Sequence, residues 1–149
     1  MRLSAEQVIE LAKLAHKNDQ VADFKNRDLA SLGFYTADLH NADFSGANLG
    51  SANLGKANLS RAKFYKARLN SVDLAEADLS GANLRQADLF QVNFRGANLQ
   101  GADLREANLD QANFTDADLT DADLRGARFT SYTKWSVTFD PVKAGAVRR

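Results

Sequence analysis

The chain contains no cysteine, so disulfides and thiolate metal sites are excluded and the redox compartment stays open. Histidine is nearly absent: only His16 and His40 occur. Charge of one sign is not in excess either. Nineteen basic residues balance nineteen acidic ones, and the sequence pI is about 6.7. Binding to bulk nucleic acid calls for a basic stripe and a high pI, so direct nucleic-acid binding is not expected. Long apolar runs are missing as well. Glu6 and Glu10 interrupt the N-terminal stretch, which excludes a signal-peptide reading. No segment approaches the roughly 18 apolar residues of a transmembrane helix. A cytoplasmic protein with no membrane association is therefore expected, unless a targeting segment has been removed. The length of 149 residues suits one domain.

What the chain has in abundance is repetition, with a period of five. Leu or Phe stands at every position ending in 4 or 9 from Phe34 to Phe129, which makes 20 uninterrupted repeats. Two looser repeats, centred on Phe24 and Leu29, precede them. Two residues before each centre from Ala37 to Ala127, 17 of 19 positions are Ala; the others are Val72 and Val92. One residue before the centre, Asp or Asn fills 16 of those 19, the exceptions being Lys63, Arg68 and Arg128. A period of five matches neither a strand nor a helix. It fits a square coil in which each pentapeptide forms one side, with the centre and the Ala pointing inward and the other three residues outward. Asp and Asn suit the position beside each corner, where a short side chain can bond local backbone. Gly46, Gly81, Gly96, Gly101 and Gly126 all fall two residues after a centre, another turn-like place.

These residues, from Phe24 to Phe129, resemble the pentapeptide-repeat family, which is abundant in bacteria and especially cyanobacteria. The resemblance implies an all-β solenoid, a right-handed quadrilateral parallel β-helix. Residue size supports four walls independently. Centres 20 apart read Phe24, Phe44, Phe64, Leu84, Leu104, Leu124 on one wall and Phe34, Leu54, Leu74, Phe94, Phe114 on the opposite one. Beyond Phe34, Phe on one side faces Leu on the other, as a core of fixed width and near-crystalline density requires. About 5.5 coils at the ~4.8 Å strand spacing predict a rod roughly 26 Å long.

Three regions follow: an N-terminal α-helical cap over residues 1–20, the β-helix over 21–131, and an aromatic cap and tail over 132–149. Ser4 and Gln7 form a capping-box pattern that opens a helix running to about Lys17. Val8, Leu11, Leu14 and Ala15 recur at helical spacing and predict a lid on the first coil; a partner-binding amphipathic helix is the alternative. The tail, Tyr132 to Pro141, resembles family tails carrying Thr-x-Trp-Pro and then Phe-Asp-Pro. Ser136 stands at the first of those prolines, which predicts a less rigid tail. Trp135 and Phe139 are expected to cover the last coil, with an exposed aromatic dimer contact as the rival reading, and Arg148 and Arg149 to fray.

Function must lie on outward positions. The residues one after each first-wall centre are Lys25, Ser45, Tyr65, Arg85, Arg105 and Arg125, joined by Lys63 and Lys66. Tyr65, Arg85, Arg105 and Arg125 form the candidate partner-binding face, because arginine forks and tyrosine suit carboxylate, phosphate or a protein hot spot. The competing reading is a solvated face, with Asp103, Asp123 and Glu106 neutralising the arginines. A second column, Asp38, Asn58, Asp78, Asn98 and Asp118, alternates acid with amide, a spacing that limits self-repulsion and makes a poor metal site. Asp110, Asp116, Asp118, Asp121 and Asp123 gather in the last coil but lie on three walls, which argues against a calcium site. Phe90 is expected to be an exposed apolar residue.

No catalytic constellation is expected. His40 stands on a wall of Asn, Ser and Gln, with no buried acid placed to orient it, and no phosphate-cradling loop is present. No cofactor and no metal are predicted. The reading is a non-catalytic protein–protein interaction scaffold with an unidentified protein partner, itself a monomer or weak dimer. The alternative is a DNA mimic that occupies a DNA-binding enzyme such as gyrase, as some family members do. Residues 22–130 hold 15 acidic and 12 basic residues, and the arginine column interrupts any phosphate-like pattern, so the mimic reading has less support.

Overall fold

A computed structural model describes residues 1–149. Helix α1 (Ala5–Lys17) is followed by a coil whose backbone pairs with itself in parallel at a constant offset of 20 residues, from Asp23↔Asp43 to Asn108↔Arg128. The fold is the right-handed four-sided β-helix. Two short strands, β1 (Arg128–Phe129) and β2 (Val147–Arg148), close its far end as a parallel pair.

One pentapeptide accounts for all of its backbone donors. In Ala82–Gln86, the Ala82 N–H closes the corner on the Leu79 carbonyl at 3.0 Å. The Asn83 N–H reaches down to Ala62 O at 3.0 Å, and the Leu84 and Gln86 N–H groups reach up to Asp103 O and Arg105 O at 2.7 and 2.9 Å. That leaves the Arg85 N–H, which donates to Asn83 Oδ1 at 3.0 Å. A buried orphan donor costs about as much as a lost hydrogen bond, so the Asp/Asn preference has a definite cause: its side-chain oxygen takes the fifth N–H. Lys63 and Arg68 cannot supply that oxygen; at Arg128 the job passes to Thr133, whose hydroxyl accepts the Thr130 N–H at 3.2 Å.

The residue two after each centre turns the corner in the left-handed region. Gly46 does so at φ 69°, but so do non-glycine residues such as Arg61 at 58° and the β-branched Thr36 at 60°. That conformation is strained for a branched side chain, and it recurs at nearly every corner because the next coil's backbone bond demands it.

The centres and the preceding Ala or Val residues form one continuous core of 45 buried residues, which also takes in Val8, Ala12 and Ala15 of α1 and Ala146 of the tail. The predicted exchange of Phe between opposite walls is realised as ring stacks. Phe24, Phe44 and Phe64 stack with centroids 5.3 and 5.2 Å apart, and Phe94 and Phe114 stack at 4.8 Å on the other side.

Several expectations change at the periphery. The capping box on Ser4 and Gln7 forms as expected, but α1 buries Val8, Ala12 and Ala15, while Leu11 and Leu14 remain 45% and 55% exposed. The helix therefore docks on the coil end through its small residues. Phe90 is half-buried, not exposed. At the C-terminal end a single inserted residue shifts the register: Asn113 pairs with Lys134, 21 residues on, and Trp135 stacks on Phe114 at 4.8 Å and 2°. Trp135 thereby extends the opposite wall as a half-buried ring packed against the core, and Phe139 packs on it at 5.4 Å. Arg148 and Arg149, expected to fray, are paired instead: Arg148 opposite Phe129, and Arg149 through an N–H bond to Phe129 O at 2.8 Å. Ser136 also holds the tail, its hydroxyl lying 2.8 and 2.9 Å from the carbonyls of Phe114 and Ala117. No helix is long and apolar enough to cross a membrane.

Candidate interaction face

The first wall stacks its outward residues in register. Lys66, Gln86 and Glu106 donate backbone N–H bonds to the carbonyls of Arg85, Arg105 and Arg125 at 3.1, 2.9 and 3.1 Å, and Gly46 does the same to Tyr65 at 2.9 Å. Tyr65, Arg85, Arg105 and Arg125 therefore occupy successive rungs of one ladder. The structure brings all four together, and it also brings them their acids. Glu106 receives both Nε and an Nη of Arg85 at 3.2 and 2.8 Å. Asp103 receives Arg105 through two bonds of 2.9 and 2.7 Å. Asp123 accepts from Arg125 at 2.6 Å and lies 3.7 Å from Arg105. Tyr65 remains 37% exposed, with Lys66 Nζ 5.2 Å from its ring centroid.

Each of those carboxyls is held below its ordinary pKa range, first by the side-chain hydrogen bond from its arginine: Arg105 for Asp103, Arg85 for Glu106, Arg125 for Asp123. Exposed pairs of this kind contribute little to stability. What they do is direct each of the three guanidinium groups onto a neighbouring carboxylate along the rod. At the far end Gly145 lies over Arg125: a Cβ there would meet Arg125 Cγ and Cα at 3.1 and 3.2 Å, so the tail backbone touches the column directly.

The alternating acid–amide column also does more than space its charges. Asn58 and Asn98 each donate a side-chain N–H to the acid one coil below, Asp38 and Asp78, at 3.1 and 3.4 Å. The same rung recurs on other walls, with Asn93 to Asp73 and Asn108 to Asp88 at 3.1 and 3.0 Å. The sequence pattern showed the alternation; the amide-to-carboxylate direction needed the register.

The two histidines form the second polar cluster. No buried acid orients His40, but an exposed one does: Asp38 Oδ1 lies 2.7 Å from His40 Nδ1. Desolvation raises the Asp38 pKa, but the side-chain and backbone hydrogen bonds from His40 outweigh it and leave the carboxyl below its ordinary range.

The family is decided by the repeat itself. A family model described as Pentapeptide repeats (8 copies) matches residues 22–54, 37–74, 67–105 and 93–130. The chain belongs to the pentapeptide-repeat family. Among solved pentapeptide-repeat structures, one from the cyanobacterium Cyanothece 51142 (Rfr23) is 28% identical, with 76% of this chain and 90% of that chain covered and a TM-score of 0.75. QnrB1, a plasmid-mediated fluoroquinolone resistance protein, is 19% identical, with 85% of this chain and 82% of that chain covered and a TM-score of 0.53; at that identity it shares the fold alone. No curated protein matches the chain. Pentapeptide repeats build scaffolds, and in this one the regular interior leaves chemical variety only to the outward ladders.

Proposed function

We propose that this pentapeptide-repeat protein is a non-catalytic protein-interaction scaffold whose binding face is the first wall, carrying Tyr65, Arg85, Arg105 and Arg125. The observation that supports it is the in-register ladder of three arginines, each with its fork already aimed by a neighbouring carboxylate. Ordering a free arginine on binding costs about 0.5–1.5 kcal/mol, and an arginine already held avoids most of that. A partner presenting spaced carboxylates would engage the guanidinium N–H groups that Asp103, Glu106 and Asp123 leave unused, and Tyr65 would add a rigid aromatic contact. The near balance of charge on the wall favours selectivity over strong attraction, and it opposes the duplex-like acidity that a DNA mimic needs.

The test is a pull-down from host lysate with the wild type and with Arg85→Ala/Arg105→Ala/Arg125→Ala, both melted first to show equal folding. A protein retained by the wild type and lost from the triple variant is the expected result. Equal retention by the two removes the first wall as the binding face. Gyrase supercoiling in the presence of the protein separates the mimic reading, which expects inhibition, from the scaffold reading, which expects none.

A further inference from the structure

The only two histidines of the chain lie 24 residues apart in sequence and meet where α1 joins the first coil. Their rings stack with centroids 3.8 Å apart and planes 19° apart. Each ring is anchored through one nitrogen. His16 Nε2 lies 2.8 Å from the backbone carbonyl of His40, and His40 Nδ1 lies 2.7 Å from Asp38 Oδ1. Both partners are acceptors, so in the neutral rings these two nitrogens carry the hydrogens. The other nitrogen of each ring, His16 Nδ1 and His40 Nε2, then keeps its lone pair. A carboxylate or carbonyl behind an imidazole is the arrangement that fixes the tautomer of a metal-ligating histidine and raises its basicity. One ligand-type atom from each of His16, Asp38 and His40 lies within 4.8 Å of the other two. Both rings are half-buried and border an open recess shared with Asp19, Gln20, Asn41, Arg61 and Lys63.

We propose that His16 and His40 form a site for a divalent transition-metal ion of the imidazole-preferring class (zinc, copper or nickel), with Asp38 as the carboxylate that positions His40. The ion takes the two free ring nitrogens, and water completes its shell. Magnesium and calcium are disfavoured, because they select oxygen donors. Two features limit the affinity. Lone pairs of stacked rings lie in nearly parallel planes, so the rings must tilt beyond 19° to aim at one ion, and Arg61 and Lys63 on the same recess repel a cation. Binding is thus weaker than at a protein site with three or four ligands. One ligand belongs to the cap helix and the other to the coil, so the ion clamps the two together, and it stabilises the folded chain because only folding brings the rings into contact.

The test titrates untagged full-length protein with zinc and then nickel chloride at neutral pH by calorimetry, alongside His16→Gln, His40→Gln and Asp38→Asn. Glutamine at position 16 retains an N–H for the His40 carbonyl, and circular dichroism checks that α1 persists. Expected are one ion per chain, loss of binding in both histidine variants, and an affinity about tenfold lower in Asp38→Asn. Should a histidine variant loosen the cap, ring-nitrogen NMR of the wild type answers alone: both imidazoles must shift on adding zinc. Absence of binding, binding unchanged in the histidine variants, or unshifted rings would each overturn the proposal. The arginine face takes no part in this test, so its fate leaves the scaffold proposal untouched.

Discussion

The two ends of the rod solve one problem in opposite ways. A β-helix exposes a row of unpaired backbone groups at each end, and such edges invite pairing with other chains. At the N-terminal end a different structure is laid across the coil. Helix α1 seals the core with Val8, Ala12 and Ala15, and side chains stand in for the missing strand: Arg2 donates to the carbonyls of Asp28 and Ala30, and His16 to that of His40. At the C-terminal end the coil is imitated. After a one-residue slip Trp135 takes a centre's place on Phe114, and Ala146 with β2 lays a further rung on β1. A cap by imitation shares the coil's backbone bonds and core, so it should melt with the coil. A cap by substitution rests on a small apolar face and a few side-chain bonds, so it should be separable. Repeat proteins transmit stability only between neighbours, which makes this difference measurable.

The largest expected effect comes from Trp135→Ala. Removing the half-buried ring that closes the Phe94–Phe114 stack should cost about 2–3 kcal/mol and lower the midpoint of the whole denaturant transition. A change confined to the tail signal would break the claim that this end is part of the coil. Val8→Ala, from a fully buried position, should cost about 1–2 kcal/mol. Amide exchange should quicken across α1 and the first coil while the distal coils stay protected; uniform loss of protection would mean the N-terminal cap is not separable.

Gly145→Ala comes next. Gly145 sits at φ 91° with Arg125 backbone 3.2 Å from the added Cβ, so a loss of about 1 kcal/mol or slightly more is expected. Faster exchange of the Val147 and Arg149 amides should accompany it, and unchanged tail exchange would show that the rung is not held through this contact. The smallest effect is electrostatic. Asp103, Glu106 and Asp123 titrate below their ordinary range when folded, so the unfolded chain takes up protons first on acidification. The stability these groups add is complete above the unfolded carboxylate pKa of about 4 and is lost as pH falls through the lower folded values. Arg85→Ala/Arg105→Ala/Arg125→Ala should therefore lose less melting temperature between neutral and acid pH than the wild type. An identical acid loss would show that the ladder pairs do not persist in solution.

How much was legible in advance divides along the same line. The coil was readable because each pentapeptide repeats one local solution. Ala at the crowded inward corner, Leu or Phe at the centre, and Asp or Asn beside the turn each answer a constraint set within a few residues. The Phe exchange between walls followed once the period was known, because a fixed interior width relates residues 20 apart. The candidate face was readable as a column, Tyr65 through Arg125, but not in its chemistry. Whether Arg85 points to Glu106 or to solvent depends on rotamers and on which rung lies above, and neither leaves a periodic trace.

By itself, then, the sequence determined the winding, the core and the corner chemistry, because those follow from short-range sterics and backbone satisfaction repeated without interruption. Only the tertiary structure decided the features that depend on a single contact: the slip that makes Trp135 a wall residue, the docking of α1 through alanines with Leu11 and Leu14 left outside, and the meeting of His16 with His40. Each arises where the repeat stops, and there no periodicity relates one residue to the next, so the outcome rests on how two differently built surfaces fit.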